Sequence, residues 1–280
     1  MAAVLAAGAL ALPAAQAEPD DSLQHKQNSA GFHPGKAGAK TLAAEDSDTQ
    51  ITDVSVNGGK YIPVGTTKTV TVTASVTATN PNGIADGIVY LWHGSDFDND
   101  LDQSFGPTTE HGTCTAVNAT TSTCKVSIKI TPHDDTYAYL WNELAGTWHV
   151  GAVAVGNGEE GGVYDDFLGT TRVQRYSKMT VNAAPEPVKK GKTVTITGKL
   201  TRANWDYFDY RGYTKQPVAL QFKPKTSSSY STLKTPSTSS TGSLKTTSTA
   251  KVDGYWRWNF TPKATTTPAV KTYGDFVDVK

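Results

Sequence analysis

The sequence predicts an all-β protein built as two tandem antiparallel β-sandwiches. Apolar residues alternate with Thr, Ser and Lys along short segments, Gly, Asn and Asp turns separate these segments, and a proline-containing break divides the pattern in half. Alternation with a period of two is typical of strands that bury one face, and many short strands are typical of sandwiches. The length of 280 residues fits two domains of ordinary size.

The first half contains several strand-like segments. The clearest spans residues 70–78, in which Val and Ala occupy one face and Thr and Ser the other. This pattern predicts a half-buried strand whose hydroxyl face meets water. Residues 136–144 predict one short helical turn, and residues 172–181 predict a last strand. The other segments are defined by these apolar positions: Ile88, Tyr90 and Trp92; Val126, Ile128 and Ile130; Trp148, Val150, Ala152 and Ala154.

A break at residues 183–187 separates the two halves. Pro185 and Pro187 stiffen this stretch and cannot continue a strand, because proline lacks the N–H group that a ladder requires. The alternation then resumes, and an Asp-Gly turn precedes a strand with these residues on one face: Trp256, Trp258 and Phe260. We therefore predict a first sandwich over residues 51–183, a linker over 184–187 and a second sandwich over 188–280.

The N-terminal region carries two signals that precede the sandwiches. Residues 2–12 are almost entirely Ala, Leu, Val and Gly, and Ala15 and Ala17 follow as the small residues of a secretory cleavage site. Residues 18–50 contain few large apolar side chains and cannot bury enough surface to offset the entropy lost on ordering. The sequence thus predicts a signal peptide over 1–17, a disordered spacer over 18–50, and a secreted, extracellular product with no lipid or C-terminal anchor.

The two cysteines of the chain, Cys114 and Cys124, flank a short polar loop. In an exported chain, such a pair most simply forms a disulfide that staples a hairpin. The spacing fits neither a Cys-x-x-Cys redox motif nor a zinc ribbon. Closing this loop contributes about 2–3 kcal/mol in the chain-entropy model, so we predict a structural disulfide.

Several stretches carry a family resemblance. They are the run Val-Lys-Lys-Gly-Lys-Thr-Val-Thr-Ile-Thr-Gly-Lys-Leu-Thr-Arg-Ala-Asn-Trp at 188–205, the run Asp-Gly-Tyr-Trp-Arg-Trp at 253–258, and the short sequences around Cys114 and Cys124. These stretches resemble a family of secreted actinobacterial proteins of the Streptomyces type. The resemblance covers residues 51–280 and implies that both sandwiches are immunoglobulin-like. Some members of the family carry a calcium-binding label, and the resemblance implies no catalytic residue.

Charge and motif content argue against several classes of function. With 26 basic and 26 acidic residues, the chain lacks the dense positive field that nucleic-acid binding requires. Beyond the N-terminus, no apolar run reaches the roughly 18 residues of a membrane span. No nucleophile elbow, zinc-protease motif or phosphate-binding glycine loop occurs. A secreted hydrolase stays open as an alternative, because its two carboxylates can come from distant segments.

An acidic stretch at residues 96–102 is the most suggestive candidate site. Alternate carboxylates suit Ca²⁺, a hard cation that takes about six to eight oxygen ligands, and the predicted ligands are Asp96, Asp98, Asp100 and Asp102. The stretch fails as an EF-hand, because Leu101 and Pro107 stand where Gly and Glu are required. A second acidic group completes the site if the loops share one end of the sandwich: Glu159, Glu160, Asp165 and Asp166. The alternatives are a solvated acidic loop and a plain hairpin with charged edges.

An aromatic segment at residues 204–213 is the second candidate site. Flat aromatic faces beside Asp and Arg can stack on sugar rings, and the predicted ligand contacts are Trp205, Tyr207, Tyr210 and Tyr213. The alternative is that Trp205 and Phe208 fold back and plug the base of a long loop.

The sequence therefore predicts a secreted, non-catalytic protein that binds an extracellular protein or glycan, or associates with a surface, through immunoglobulin-like domains. The first alternative is a calcium-binding module that uses residues 96–102, and the second is a secreted hydrolase with distant carboxylates. No cofactor other than calcium is expected, and neither a nucleic-acid partner nor a membrane span is predicted.

Overall fold

The computed structural model describes residues 47–133, 139–159 and 162–280. The predicted signal peptide and residues 18–46 of the predicted spacer lie outside the described residues. The spacer was expected to extend to residue 50, but the first strand begins at Gln50, and the side chain of Thr49 is already buried. Thr49 is held there by polar contacts to a distant hairpin, which the composition of the segment does not reveal.

The first half of the chain is an antiparallel β-sandwich of the immunoglobulin-like type. One sheet has the strand order β1-β3-β7-β6, and the other has the order β2-β9-β8-β4-β5, with β2 parallel to β9. The strands are β1 (Gln50–Val56), β2 (Ile62–Val64), β3 (Val70–Thr79), β4 (Ile84–Asp96), β5 (Asp100–Phe105), β6 (Thr113–Ala116), β7 (Thr121–Ile130), β8 (Gly146–Gly156) and β9 (Val163–Arg175).

Alternation in the sequence determines which side chains form the first core. Val72, Ala74 and Val76 on β3 are buried, while Thr73 and Ser75 between them face outward, as predicted. Cys114 on β6 and Cys124 on β7 are register partners, and the predicted disulfide joins them. The predicted helical turn is a 3₁₀ turn over Asn142–Leu144, and its first residues, 136–138, lie outside the described ranges.

The second half is also an antiparallel sandwich of this type. In one sheet β12 pairs with β10, β11, β13 and β16, and in the other β17 pairs with β14, β18 and β19, while β15 pairs with β14. The strands are β10 (Ser177–Met179), β11 (Asn182–Ala184), β12 (Thr193–Asn204), β13 (Asp209–Gly212), β14 (Ala219–Pro224), β15 (Ser231–Lys234), β16 (Ser243–Thr249), β17 (Gly254–Phe260), β18 (Val270–Lys271) and β19 (Asp275–Val277).

The boundary between the sandwiches lies earlier than residue 183. Strands β10 and β11 both pair with β12, so the second sandwich begins near Ser177 and the predicted linker at 184–187 lies inside it. Pro185 and Pro187 end β11, because they cannot donate to a ladder. The chain then crosses to the opposite sheet, where Val188 bridges Val279 in parallel. The prolines therefore mark a change of sheet within one sandwich.

The two sandwiches share a packed interface. Ala203 at the end of β12 and Trp205 just after it are fully buried in the core of the first sandwich. Backbone and side-chain hydrogen bonds cross the same junction: Tyr176 N–H donates to Val64 O at 2.8 Å, and Arg175 Nε donates to Ala203 O at 2.6 Å. Burial, and then the positive charge of Arg202, lower the pKa of Arg175 to about 9. Arg175 therefore stays charged at neutral pH.

No helix within the described residues is long and apolar enough to cross a membrane.

Candidate functional site

A cluster of aromatic side chains lies on the outer face of the sheet that contains β4. Tyr90 and Trp92 occupy outward-facing positions of β4, yet both are fully buried. They are covered because the β4–β5 hairpin folds back over the sheet and brings Phe97 within 5.4 Å of Tyr90 and 5.5 Å of Trp92, measured between ring centroids. The hairpin can fold in this way because Gly94 has no side chain. A Cβ atom at this position would lie 2.1 Å from the Asp100 carbonyl oxygen. An outer face that normally meets water is therefore closed.

A bulge in β9 completes the cluster from the other side. The pairing of β8 with β9 shifts from Val150–Gly169 to Ala152–Asp165, so residues 166–168 stand opposite one residue, Gly151. A Cβ atom at Gly151 would lie 2.4 Å from the ring of Tyr90, so glycine is required where this ring crosses β8. The bulge turns Asp166 toward the rings and places the next side chain, Phe167, against Trp92 and His149 at the edge of the cluster.

Asp166 accepts hydrogen bonds from two of the buried rings. The Tyr90 hydroxyl donates to its carboxylate, and Trp92 Nε1 donates to its carbonyl oxygen at 2.7 Å. Burial is the largest cause that raises the pKa of Asp166, and the negative charges of Asp98, Asp165 and Asp96 raise it further, against the opposing hydrogen bond from Tyr90. Two acidic segments that lie far apart in the sequence therefore meet at this carboxylate.

Phe167 and His149 form the rim of the cluster. Phe167 is 57% exposed, and its ring centroid lies 4.9 Å from that of Trp92 and 5.0 Å from that of His149. Burial lowers the pKa of His149, which favours the neutral imidazole. We call this surface the acidic aromatic face, and its members are Tyr90, Trp92, Asp96, Phe97, Asp98, His149, Asp165, Asp166 and Phe167.

The predicted calcium ligands are engaged in separate local contacts. Asp96 accepts from the backbone N–H groups of Asp98 at 3.0 Å and Asn99 at 2.8 Å, which closes a tight turn. Asp100 accepts from Ser95 Oγ at 2.5 Å, and Asp102 contacts His93 Nδ1 at 2.8 Å. Across residues 47–133, 139–159 and 162–280, no group of three or more His, Cys, Asp or Glu side chains is arranged to hold a metal ion.

The second acidic group divides between two places. Asp166 lies beside the hairpin that carries Asp96, because Asp166 and Phe97 both contact Tyr90, whereas Glu159 is bound elsewhere. The Glu159 carboxylate, at the tip of the β8–β9 hairpin, accepts from Ser47, Thr49 and Asn80. Burial alone would raise the pKa of Glu159, but the hydrogen bonds from Thr49, Gly156 N–H and Ser47 together lower it. Glu159 therefore fastens the start of the first sandwich, and Glu160 lies outside the described residues.

The four residues of the aromatic segment do not form one surface. Trp205 is fully buried, and its Nε1 donates to Gly65 O at 2.9 Å, so it is not available to a ligand. This corrects its prediction as a sugar contact: its apolar ring completes the first core. Tyr213 packs against Phe260 of the second core, at 5.7 Å between ring centroids. Tyr207 is 42% exposed.

Neighbouring groups hold this aromatic segment in place. Lys178 Nζ lies 3.5 Å from the ring centroid of Tyr210, and Arg211 lies 4.0 Å from that of Tyr207. The carboxylate of Asp206 accepts from the backbone N–H of Asn142 at 2.8 Å and also from the Asn142 side chain. The segment is therefore mainly a domain junction. This agrees with the alternative for Trp205, which folds back onto a core, but not for Phe208, which is 37% exposed.

The sequence arguments missed Phe97 and Phe167 as members of a site. A local signal was present, because Phe97 lies between Asp96 and Asp98, and Phe167 directly follows Asp165 and Asp166. A large apolar side chain within a run of carboxylates is unfavourable in a freely solvated loop. Such a residue indicates that part of the run packs against other groups.

Comparisons with known proteins identify no family. No family model matches the sequence, and no curated protein matches it significantly. Similar solved structures include the D0–D1 domain of intimin, with 15% identity over 81% of this chain and 98% of that chain and a TM-score of 0.27. They also include a marsupial T cell receptor, with 13% identity over 82% of this chain and 72% of that chain and a TM-score of 0.34. The mouse nectin-like molecule 4 ectodomain has 12% identity over 83% of this chain and 65% of that chain, with a TM-score of 0.26.

Proposed function

We propose that this chain is a secreted, non-catalytic binding protein that engages an extracellular partner through the acidic aromatic face. The observation that carries the proposal is Phe167, which a bulge holds more than half exposed above buried rings and beside Asp165 and Asp166. An exposed ring on a rigid base gives contact area with little loss of side-chain entropy on binding. The surrounding carboxylates favour a partner that carries positive charge.

Secretion and family membership form part of the same proposal. The apolar segment before Ala17 and the disulfide between Cys114 and Cys124 both support an extracellular location. Membership of the secreted actinobacterial family rests on the residues quoted above at 188–205 and 253–258. Neither proposal depends on the identity of the partner.

The test is binding of the chain over residues 18–280 to immobilised poly-L-lysine, chitosan and dextran, measured by biolayer interferometry. We expect binding to one of the two cationic probes, and Phe167→Ala should weaken it by at least about tenfold, because removing a central anchor typically costs more than 1 kcal/mol. Val117→Ala is the matched control, because Val117 is 65% exposed on the distant disulfide hairpin. Equal binding by wild type and Phe167→Ala, or no binding to either cationic probe, contradicts the proposal.

Calcium binding is the second candidate function. It is favoured by the position of the hairpin that carries Asp96 and Asp98, because Phe97 between them packs on the Tyr90 ring, whose hydroxyl donates to Asp166. Burial is the main cause of the raised pKa of Asp166, and a cation at this place would relieve the repulsion from neighbouring carboxylates that adds to it. We propose thermal unfolding in excess Ca²⁺ and in excess chelator as its test. At about one hundred times its dissociation constant, a ligand adds about 2.7 kcal/mol, which is a shift of several degrees. Asp98→Asn should abolish the shift, and Asp53→Asn on β1 should not.

A secreted hydrolase is the remaining alternative, and it would use Asp166 as its partly buried acid. The hydrogen bonds of Asp166 to the Tyr90 and Trp92 side chains support a structural role instead. The cavity beside the bulge, of about 190 Å³, is lined by Val150, Leu168 and neighbouring residues and not by Asp166. Turnover of a polysaccharide or peptide substrate that Asp166→Asn abolishes would overturn the non-catalytic proposal.

A further inference from the structure

The outer face of the sheet that contains β14 and β17 combines aromatic and cationic side chains. Across the ladder, Lys223 pairs with Tyr255, and Tyr255 pairs with Phe276 on β19. Arg257, two residues further along β17, shares this face, while the alternate residues Trp256 and Trp258 are buried in the second core. We call this surface the basic aromatic face, and its members are Lys223, Lys225, Tyr230, Tyr255, Arg257 and Phe276.

The cations of this face lie against its rings. The guanidinium carbon of Arg257 lies 3.7 Å from the ring centroid of Tyr230, and Lys223 Nζ lies 4.6 Å from that of Tyr255. Lys225 Nζ lies 5.6 Å from the ring centroid of Phe276. Stacking of this kind holds long, flexible side chains in one arrangement before any ligand arrives. The stacked guanidinium also keeps a planar edge of N–H donors, of which Nε donates to Gln221 at 2.8 Å.

Carboxylates do not neutralise the centre of this face. The outward positions of β14 and β17 and their partners on β18 and β19 include no Asp or Glu. In the part of the chain that the structure describes, neither Lys223 nor Arg257 has a carboxylate oxygen within 4.0 Å of its cationic nitrogens. Asp275 lies on the neighbouring strand, but its side chain accepts from Ala183 N–H at 2.6 Å. At the edge of the face, Lys225 Nζ lies 3.9 Å from a carboxylate oxygen of Asp253. Lys223 and Arg257 therefore carry the positive charge at the centre of the face, held over aromatic rings.

We propose that the basic aromatic face binds an acidic polysaccharide. Uronic acid carboxylates match the forked donors of Arg257 and the ammonium group of Lys223, and the flat apolar surface of a sugar ring can stack on the exposed ring of Tyr273 at the border of this face. A nucleic acid needs the same two elements but a denser positive field, and the balanced charge of the whole chain argues against it. This surface lies on the other sandwich from the acidic aromatic face, so the inference does not rest on the proposed function.

An exposed aromatic residue lies at the border of this surface. Tyr273, between β18 and β19, is 98% exposed. The next residue is Gly274, at which a Cβ atom would lie 2.2 Å from the Tyr230 hydroxyl oxygen. The chain therefore passes directly beside the Tyr230 ring at this position. Tyr273 therefore extends the basic aromatic face, so that a second sugar unit of the same chain could contact it.

The test is isothermal titration of the chain over residues 18–280 with oligogalacturonate, with a neutral galactan oligosaccharide of matched length, and with single-stranded oligothymidylate. We expect oligogalacturonate to bind and the other two not to bind. Added NaCl should weaken this binding, because exposed charge pairs are screened. No binding of oligogalacturonate, equal binding of the neutral glycan, or tighter binding of the oligonucleotide each overturns the proposal.

Two variants and a control connect the binding to this face. Arg257→Ala and Tyr230→Ala should each weaken oligogalacturonate binding by at least about tenfold, which corresponds to the loss of one central contact. Lys245→Ala removes an exposed cation from β16 in the opposite sheet and should leave the affinity within about twofold. Unchanged unfolding temperatures verify that the variants are folded. An equal loss of affinity in Lys245→Ala and Arg257→Ala would show attraction to net charge alone and would refute the assignment.

Discussion

The acidic aromatic face and the basic aromatic face are both outer surfaces of sandwich sheets, but they differ in how far their aromatic rings are buried. On the first, a hairpin and a bulge cover Tyr90 and Trp92 completely, and carboxylates surround the rim. On the second, Tyr230 and Tyr255 stay partly exposed under the side chains of Lys223 and Arg257. The comparison shows that ring burial on an outer face depends on the connections at its edges, because the sheets themselves are alike.

The difference in ring burial between the two faces predicts a difference in how much each face contributes to the free energy of unfolding. Burial on the acidic aromatic face makes Tyr90, Trp92 and Phe97 a small separate core on the outside of the first sandwich, so changes there should alter the free energy of unfolding. The cations on the basic aromatic face lie near the surface, where each ring contact is worth about 0.5–1 kcal/mol. Changes on that face should therefore alter binding more than stability.

The largest effect is expected at the junction that holds both faces in one body. Trp205→Ala should lower the free energy of unfolding by about 3–5 kcal/mol, because a fully buried ring is removed from the first core and a hydrogen bond to Gly65 O is lost. Denaturant unfolding followed by circular dichroism measures the change. Tyr207→Ala, in the same loop but 42% exposed, is the control and should cost less than about 1 kcal/mol.

If Trp205→Ala were as stable as the wild type, the prediction would be wrong, because the Trp205 side chain would then lie on the surface like that of Tyr207 rather than in the core. Trp205→Phe refines the measurement. It keeps a large ring but removes the N–H donor, so we expect a smaller loss of about 1–2 kcal/mol. A loss equal to that of Trp205→Ala would assign the whole effect to the hydrogen bond.

The second prediction compares one ring truncation on each face. Phe97→Ala should cost about 3 kcal/mol, because Phe97 is only 9% exposed and contacts both Tyr90 and Trp92. Tyr230→Ala should cost less than about 1 kcal/mol, because its cation contacts lie near the surface. Urea titration of both variants measures the difference. Equal costs would mean that the two faces are packed alike.

The sequence predicted the strands well and their connections less well. Alternation located β3, β7 and β17, because a residue's place in a pleated strand fixes which face it takes. It misplaced the boundary between the sandwiches, because Pro185 and Pro187 end a strand equally well at a linker or at a change of sheet. The pairing of β10 and β11 with β12 depends on contacts between distant residues, which local patterns do not contain.

The candidate sites show the same limit. The sequence indicated the two acidic segments and the hypothesis that they meet, but not the bulge that brings Asp166 to Tyr90. It gave Trp205 a surface role as one hypothesis, because an aromatic-rich loop looks alike whether it meets a ligand or a neighbouring domain. Cations stacked on rings across strands were not predicted, because the strand register was unknown.

The third prediction tests the close packing beneath the acidic aromatic face. Gly151→Ala should lower the free energy of unfolding by about 1–3 kcal/mol, because the new methyl group would lie 2.4 Å from the Tyr90 ring. Gly169→Ala, in the neighbouring strand, is the matched control: no atom outside its chain neighbours lies within 4 Å of its added Cβ, so little change is expected. Similar stability of the two variants in thermal unfolding would argue against the packing of Tyr90 over β8.

The smallest effect is expected from the charge of Asp166. Because its pKa is raised in the folded chain, mainly by burial, the folded state holds this proton more tightly than the unfolded state does. The free energy of unfolding should therefore fall as the pH rises from the ordinary pKa of the carboxyl, near 3.8, through the raised value.

Asp166→Asn still accepts a hydrogen bond from Tyr90 but cannot ionise, so its stability relative to wild type should increase over this pH range. The increase should be less than about 1 kcal/mol, because solvent screens the half-exposed group. Urea titrations between about pH 3 and pH 7 measure the change, with Asp53→Asn on β1 of the opposite sheet as the control for removing one negative charge. A relative stability that decreases with pH would mean that the hydrogen bond from Tyr90 outweighs burial, and that the acidic aromatic face favours the ionised carboxylate.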